Sequence, residues 1–236
     1  MSEPQAIPSP PVASRIHTIG LLAIIAAWTW FGVITAAKLR ANAGPRPPLM
    51  VAYWASAIFE WLIVAYVVAG VRRHGGSLRE LIGGSWGRAR GFWRDVLVAF
   101  VFWIVALLCL GALRFALRVN RGVDAVRFVA PQSKVEMITW VVLSLTAGFC
   151  EETIFRGYLQ CQFLAWSGKP SLGILLSAAV FGLGHVYQGA KQAIIIGVFG
   201  ALLGILAQRR RSLRPGIMVH AWQDTIFGLA MHFLPK

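Results

Sequence analysis

Two adjacent carboxylates and an arginine, in the run Glu151-Glu152-Thr153-Ile154-Phe155-Arg156, interrupt apolar sequence that is uncharged from Met137 to Cys150 and resumes at Gly157-Tyr158-Leu159. An ionised side chain near a bilayer centre costs about 2.5–3.5 kcal/mol by insertion scales, so three within six residues require a purpose. His185 and His220 stand in apolar surroundings of the same kind. Helical spacing sorts these groups. Glu152 and Arg156 are i,i+4 and share a face, so Arg156 can neutralise and orient Glu152. Glu151 lies about 100° further round, free to face another partner, with Phe155 below it as a shield from water. His220 and Asp224 are again i,i+4. Glu151, His185, His220 and Asp224, drawn from three helices, can bind a divalent metal such as zinc through imidazole and carboxylate. They can equally activate a water by general base catalysis without one.

Each element also has a plainer role. A Glu–Arg pair at i,i+4 serves as a structural ion pair, a membrane histidine hydrogen-bonds to a neighbouring helix, and Asp224 can simply orient His220. Glu60 stands alone between Phe59 and Trp61, and a structural hydrogen bond or a loop arginine is favoured over catalysis there. Gly200 and Gly204 form a GxxxG step suited to a close helix contact, as do Gly182 and Gly184 with Ser177, Ala178 and Ala179. Cys109, Cys150 and Cys161 form no CxxC pair and read as small packing residues.

The elements that must position this chemistry are membrane helices. Of 236 residues, 57% are hydrophobic and 14% charged, with ten Trp and mean hydropathy +0.65, whereas soluble domains carry about 25% charged residues. The sequence therefore predicts an all-α polytopic membrane bundle of about seven transmembrane helices, near 16–37, 49–71, 96–113, 137–166, 172–186, 190–208 and 215–234. The first span is too long for a signal-peptide core and is expected to stay in place. A Pro- and Ser-rich tail over 1–15 is expected to be disordered. Residues 16–136 are read as N-terminal membrane helices continuous with a catalytic helical core over 137–236. The loops 72–95 and 114–136 are expected at the interface. The net charge of +14 sits mainly between apolar segments and points to anionic membrane lipids rather than nucleic acid. Compact arginine clusters such as Arg209-Arg210-Arg211 favour a cytoplasmic N-terminal side.

In order along the chain, E-E-x-x-x-R at 151–156, F-x-x-x-H at 181–185 and H-x-x-x-D at 220–224 resemble the CPBP family of intramembrane proteases. These are CAAX prenyl endopeptidases of the Ras-converting type and their prokaryotic relatives, bacteriocin-processing and immunity proteins among them. The resemblance spans about residues 137–230. It implies a peptide-cleaving membrane hydrolase, with Glu151 activating water, His185 and His220 in the site, Glu152 and Arg156 supporting it, and Asp224 where relatives carry Asn or Asp. It further implies a peptide or protein substrate, lipidated in the prenyl case, and an integral protein of a prokaryotic cell membrane. Members are often named metalloproteases, so both the metal-bound and the metal-free centre stand. A proton-coupled transporter and a non-catalytic immunity or binding protein are the competing classes; the lack of internal repeats weighs against the first.

Overall fold

The computed structural model describes residues 10–41, 48–85, 89–119 and 129–233. Helix α1 (Arg15–Ala41) is followed by α2 (Met50–Arg73), the short α3 (Leu78–Ile82) and α4 (Ala89–Ala116). Then α5 (Lys134–Glu151) runs into a π-helical segment (Glu152–Leu159) and on into α6 (Gln160–Ser167) without a break. Helix α7 (Pro170–Gly184), a 3₁₀ turn (Val186–Gln188), α8 (Ala190–Arg210) and α9 (Arg214–Phe233) complete the order. Among the described residues there is no strand.

Every expected span corresponds to a helix. Among the described residues only α1, α2, α4, the continuous Lys134–Ser167 helix and α8 are long and apolar enough to cross a membrane, five where about seven were expected. Sequence punctuation accounts for the difference. Pro170 opens α7 and His185 closes it after 15 residues, about 22 Å of helix against a hydrocarbon core of about 30 Å. Helix α9 has the length but is interrupted by His220, Gln223 and Asp224.

The distribution of side chains is that of a protein whose solvent is lipid. Large apolar residues such as Trp30, Phe100, Leu108 and Phe115 face outward. Glu152, Arg156, Gln160, Gln162, Asp95 and His220 are buried. Polar groups turn inward because hydrocarbon offers them no hydrogen bonds. Gln162 shows the use made of this. Its Oε1 accepts from the Val12 and Ala13 amides at 2.6 and 3.2 Å, while Nε2 donates to Ala13 O and Thr18 Oγ1. Of the tail expected over 1–15, residues 1–9 lie outside the described residues, and Val12 and Ala13 are held in this way. Within the loop 72–95, α3 begins with a Ser77/Glu80 capping box and returns to the bundle, Ile82 O accepting from the Leu213 amide at 2.9 Å. Residues 86–88, and 120–128 of the second loop, lie outside the described residues.

Small residues set the crossings that matter for the centre. A Cβ at Gly182 of α7 would stand 2.7 Å from Ala193 O and 3.0 Å from the Gly197 Cα of α8. At Gly184 the nearest atom would be Thr29 Oγ1, 3.9 Å away, so that glycine makes no close crossing. Gly200 and Gly204 do seat side chains closely. Their Cβ positions fall 2.8 Å from an Arg156 guanidinium nitrogen and 2.7 Å from Gln160 Oε1, and Gln160 Nε2 donates to Gly204 O. The GxxxG step of α8 thus contacts the π segment and α6.

Gly148 governs the α5–α9 crossing. A Cβ there would lie 2.8 Å from Ala221 Cβ, 2.9 Å from Ala221 N and 3.0 Å from Ile217 O. Backbone atoms cannot move aside as a flexible side chain can. Gly148→Val is therefore expected to destabilise the protein by at least the ~1–3 kcal/mol of ordinary overpacking. It should also displace His220 from Glu152. A detergent thermal melt beside a cleavage assay measures both, and a wild-type melting temperature would contradict this account of the crossing.

Candidate active site

Glu151 is the last residue of α5, and Glu152 opens the π segment. π-helical turns cost hydrogen-bond geometry and recur at functional sites. Here the widened turn carries all of Glu152–Leu159 into the interior, every residue buried. Within it the i,i+4 pair forms as the spacing implies, Arg156 Nη1 lying 2.9 Å from Glu152 Oε1 with both side chains essentially inaccessible. The guanidinium also sits over the Phe181 ring, 4.3 Å from its centroid, a cation–π contact that strengthens when desolvated.

Helix α9 brings the third member. His220 Nδ1 is 3.0 Å from Glu152 Oε1, the oxygen already held by Arg156. A carboxylate cannot donate, so Nδ1 carries the proton and donates to it. The ring's other nitrogen, Nε2, then faces Glu151 Oε2 at 3.4 Å and Asp224 Oδ2 at 3.6 Å. Phe181 and Phe199 flank the imidazole edge-on, with centroids 5.8 and 5.7 Å away. Trp140 Nε1 donates to the Asp224 carbonyl at 2.9 Å, tying this turn of α9 to α5.

Exposure grades across the cluster. The Glu152 side chain is 0% exposed, His220 4%, Glu151 16% and Asp224 37%. One carboxylate is sealed against Arg156, while the other two keep part of their surface accessible. The division expected from helix geometry, one supporting and one reactive glutamate, has this structural counterpart.

His185 lies within electrostatic reach of Asp224, although the two form no ion pair. It caps the C-terminus of α7, and Nδ1–H donates to Phe181 O at 2.9 Å, which leaves the lone pair of the neutral ring on Nε2. Its ring lies 4.9 Å from that of Phe181, the residue that also touches His220 and Arg156. Among the described residues it makes no ion pair with Glu151 or Asp224. The structure thus joins Glu151, Glu152, Arg156, His220 and Asp224 by ion pairs and hydrogen bonds, and brings His185 within electrostatic reach of Asp224 and into contact with Phe181. Phe155 packs edge-on against Phe181 at 5.0 Å, its carbonyl accepting from Ser177 Oγ.

Two residues extend the picture. Phe181, read in the sequence only as a motif position, is the ring around which Arg156, His185 and His220 are arranged; an aromatic four residues before a membrane histidine was the available signal. Glu60 corrects an expectation. It was expected to find a structural hydrogen bond or a loop arginine, and among the described residues it has neither. Its Oε2 is buried without a partner, and the nearby charges acting on it are those of Glu151 and Asp224.

The donors do not assemble into a metal site. Among the described residues no three His, Cys, Asp or Glu side chains are disposed to hold an ion. His220 and His185 each have Nδ1 committed to a hydrogen bond, with Glu152 and with Phe181 O. No step is derived through a metal.

Helices with lipid-facing exteriors and a buried Glu–Arg–His core define an integral membrane protein with an ionisable centre. Residues 133–226 match the family model described as Rce1-like, type II CAAX prenyl endopeptidase Rce1-like. That segment holds every residue of the Glu-Glu-Arg, His185 and His220/Asp224 motifs. That match supports membership of the CPBP family, whose members are CAAX-protease-like intramembrane endopeptidases. No curated protein and no solved structure matches the chain.

Proposed function

We propose that the protein hydrolyses a peptide bond in a membrane cavity, with Glu151 as the base that takes a proton from the attacking water. The observation that carries this reading is the graded cluster. His220 is anchored through Nδ1 on the sealed Glu152 and presents Nε2 to the two accessible carboxylates. Nε2 and Glu151 Oε2, 3.4 Å apart, are beyond a good direct hydrogen bond but can both contact one water. Glu151 then accepts a proton as the water oxygen attacks the carbonyl carbon. Protonated His220 donates from Nε2 to the oxyanion, where a fixed donor in a dry site is most effective. Glu152 and Arg156 hold the ring's tautomer and direction.

His185 takes a positioning part in this reading. With Nδ1–H spent on Phe181 O, the neutral ring can only accept through Nε2, so it orients a water or a substrate amide. The substrate is read as a membrane-delivered peptide, lipidated or not, in a prokaryotic membrane. An apolar groove between α2 and α5, lined by Trp54, Ile58, Trp61 and Val142, supports delivery from the lipid side. Purified protein assayed against a panel of membrane peptides tests the reading, and a wild type that cleaves none of them would remove it.

Asp224 gives a second test. Its task here is to accept at the open edge of His220, which an amide oxygen can largely do. Asp224→Asn is expected to keep activity within about tenfold, while Asp224→Leu should lose the ~10²-fold or more typical of a group needed at the transition state. Steady-state turnover of the two variants decides it. If Asn is as inactive as Leu, Asp224 acts through its charge.

A further inference from the structure

A carboxyl outside the matched segment faces the same centre. Glu60 stands in α2 on the stripe that carries Tyr53, Ala57, Val64, Val67 and Val71, all buried. Steps of three and four residues place these on one helix face, and α2 packs against α5, with Trp61 stacked on Phe149 at 5.4 Å. The charges that reach Glu60 are those of Glu151 and Asp224. Glu60 and Glu151 both act on the Cys150 thiol, and all three carboxylates act on the Tyr187 hydroxyl. The contacts of α2 with α5 and with the π-helical segment, together with these influences, put Glu60 at the edge of the cluster. Among the described residues no cation neutralises it, and its Oε2 is buried with no hydrogen-bond partner.

An ionised carboxylate in that position would be desolvated, unpaired and beside two like charges, each of which is unfavourable. A carboxylic acid avoids all three penalties, and its O–H then has no acceptor among the described residues. A donor left without an acceptor in an enzyme's centre is available to the substrate. Paired carboxyl groups in different surroundings divide acid and base work in this way. We propose that Glu60 is the catalytic acid of the site, delivering its proton to the nitrogen that leaves when the peptide bond breaks.

The proposal rests on the hydrolase reading, and its balance is simple. The water oxygen forms the new C–O bond while Glu151 takes one proton. The C–N bond breaks with its electron pair on nitrogen, which takes the proton of Glu60. Transfer of the proton held by Glu151 to Glu60 restores both groups.

Leaving-group dependence tests it. An amide nitrogen must be protonated to leave, whereas p-nitrophenoxide needs no proton. Glu60→Gln, close to the same shape, should lose ~10²–10⁴-fold in kcat on a peptide but less than about tenfold on the p-nitrophenyl ester of the same acyl group. Its KM and melting temperature should stay near wild type. Glu60→Asp, which keeps an acid, should recover part of the peptide activity, whereas Glu151→Gln should fail on both substrates. Peptide turnover by Glu60→Gln within a few-fold of wild type would overturn the assignment. So would equal losses on peptide and ester, or an Asp variant no better than Gln. A wild type inactive on every peptide would remove the hydrolase reading itself and the role of Glu60 with it.

Discussion

Glu151→Gln is expected to abolish turnover in a protein that remains folded and detergent-stable. The glutamine keeps the size of the side chain and most of its hydrogen bonding, but it cannot accept a proton from water. General base catalysis is typically worth ~10²–10⁴-fold, and the proposed base is the accessible carboxylate nearest His220 Nε2, at 3.4 Å. Stability should change little, because Glu151 is partly exposed and the buried ion pair belongs to its neighbour. A cleavage assay beside a thermal melt separates the two effects. Near wild-type cleavage by this variant would mean that the water is activated elsewhere.

The adjacent glutamate should respond in the opposite sense. Glu152 Oε1 receives both Arg156 and His220, at 2.9 and 3.0 Å, in a fully buried setting. Glu152→Gln leaves the Arg156 cation without its counter-charge in an apolar interior. Removing one partner of a buried pair costs about 3–5 kcal/mol, and a large loss of yield and melting temperature is the expected result. Arg156 has little alternative support, since both terminal guanidinium nitrogens lack a well-formed hydrogen bond and its other neighbours are the Phe181 and Phe155 rings. Activity should fall as well, through loss of the His220 anchor. A variant as stable as wild type would show that the pair orients His220 without supporting the fold. Together the two substitutions distinguish neighbouring, chemically identical residues by what each is bonded to.

The sequence by itself determined the class of the molecule and the identity of most of its centre. Long uncharged runs can only be membrane helices, because a bilayer leaves backbone groups no partners outside the helix. Charged residues inside such runs announce function through their cost. The Glu152–Arg156 and His220–Asp224 pairs were legible because i,i+4 neighbours meet on any helix. What the sequence could not supply was distance between helices. Whether His185 reaches the carboxylates depends on where α7 ends and which way Phe181 points, and in the structure Phe181 lies between the two imidazoles' neighbourhoods. Local spacing likewise gave Glu60 no partner, since its neighbours Glu151 and Asp224 come from helices far along the chain. Nor could periodicity foresee a π-helical turn at Glu152, or that Gly148 and Gly200 would admit Ala221 and Arg156 at close range. Those features arise from packing, where the shape of one helix decides how near another can come, and packing is a property of the tertiary structure alone.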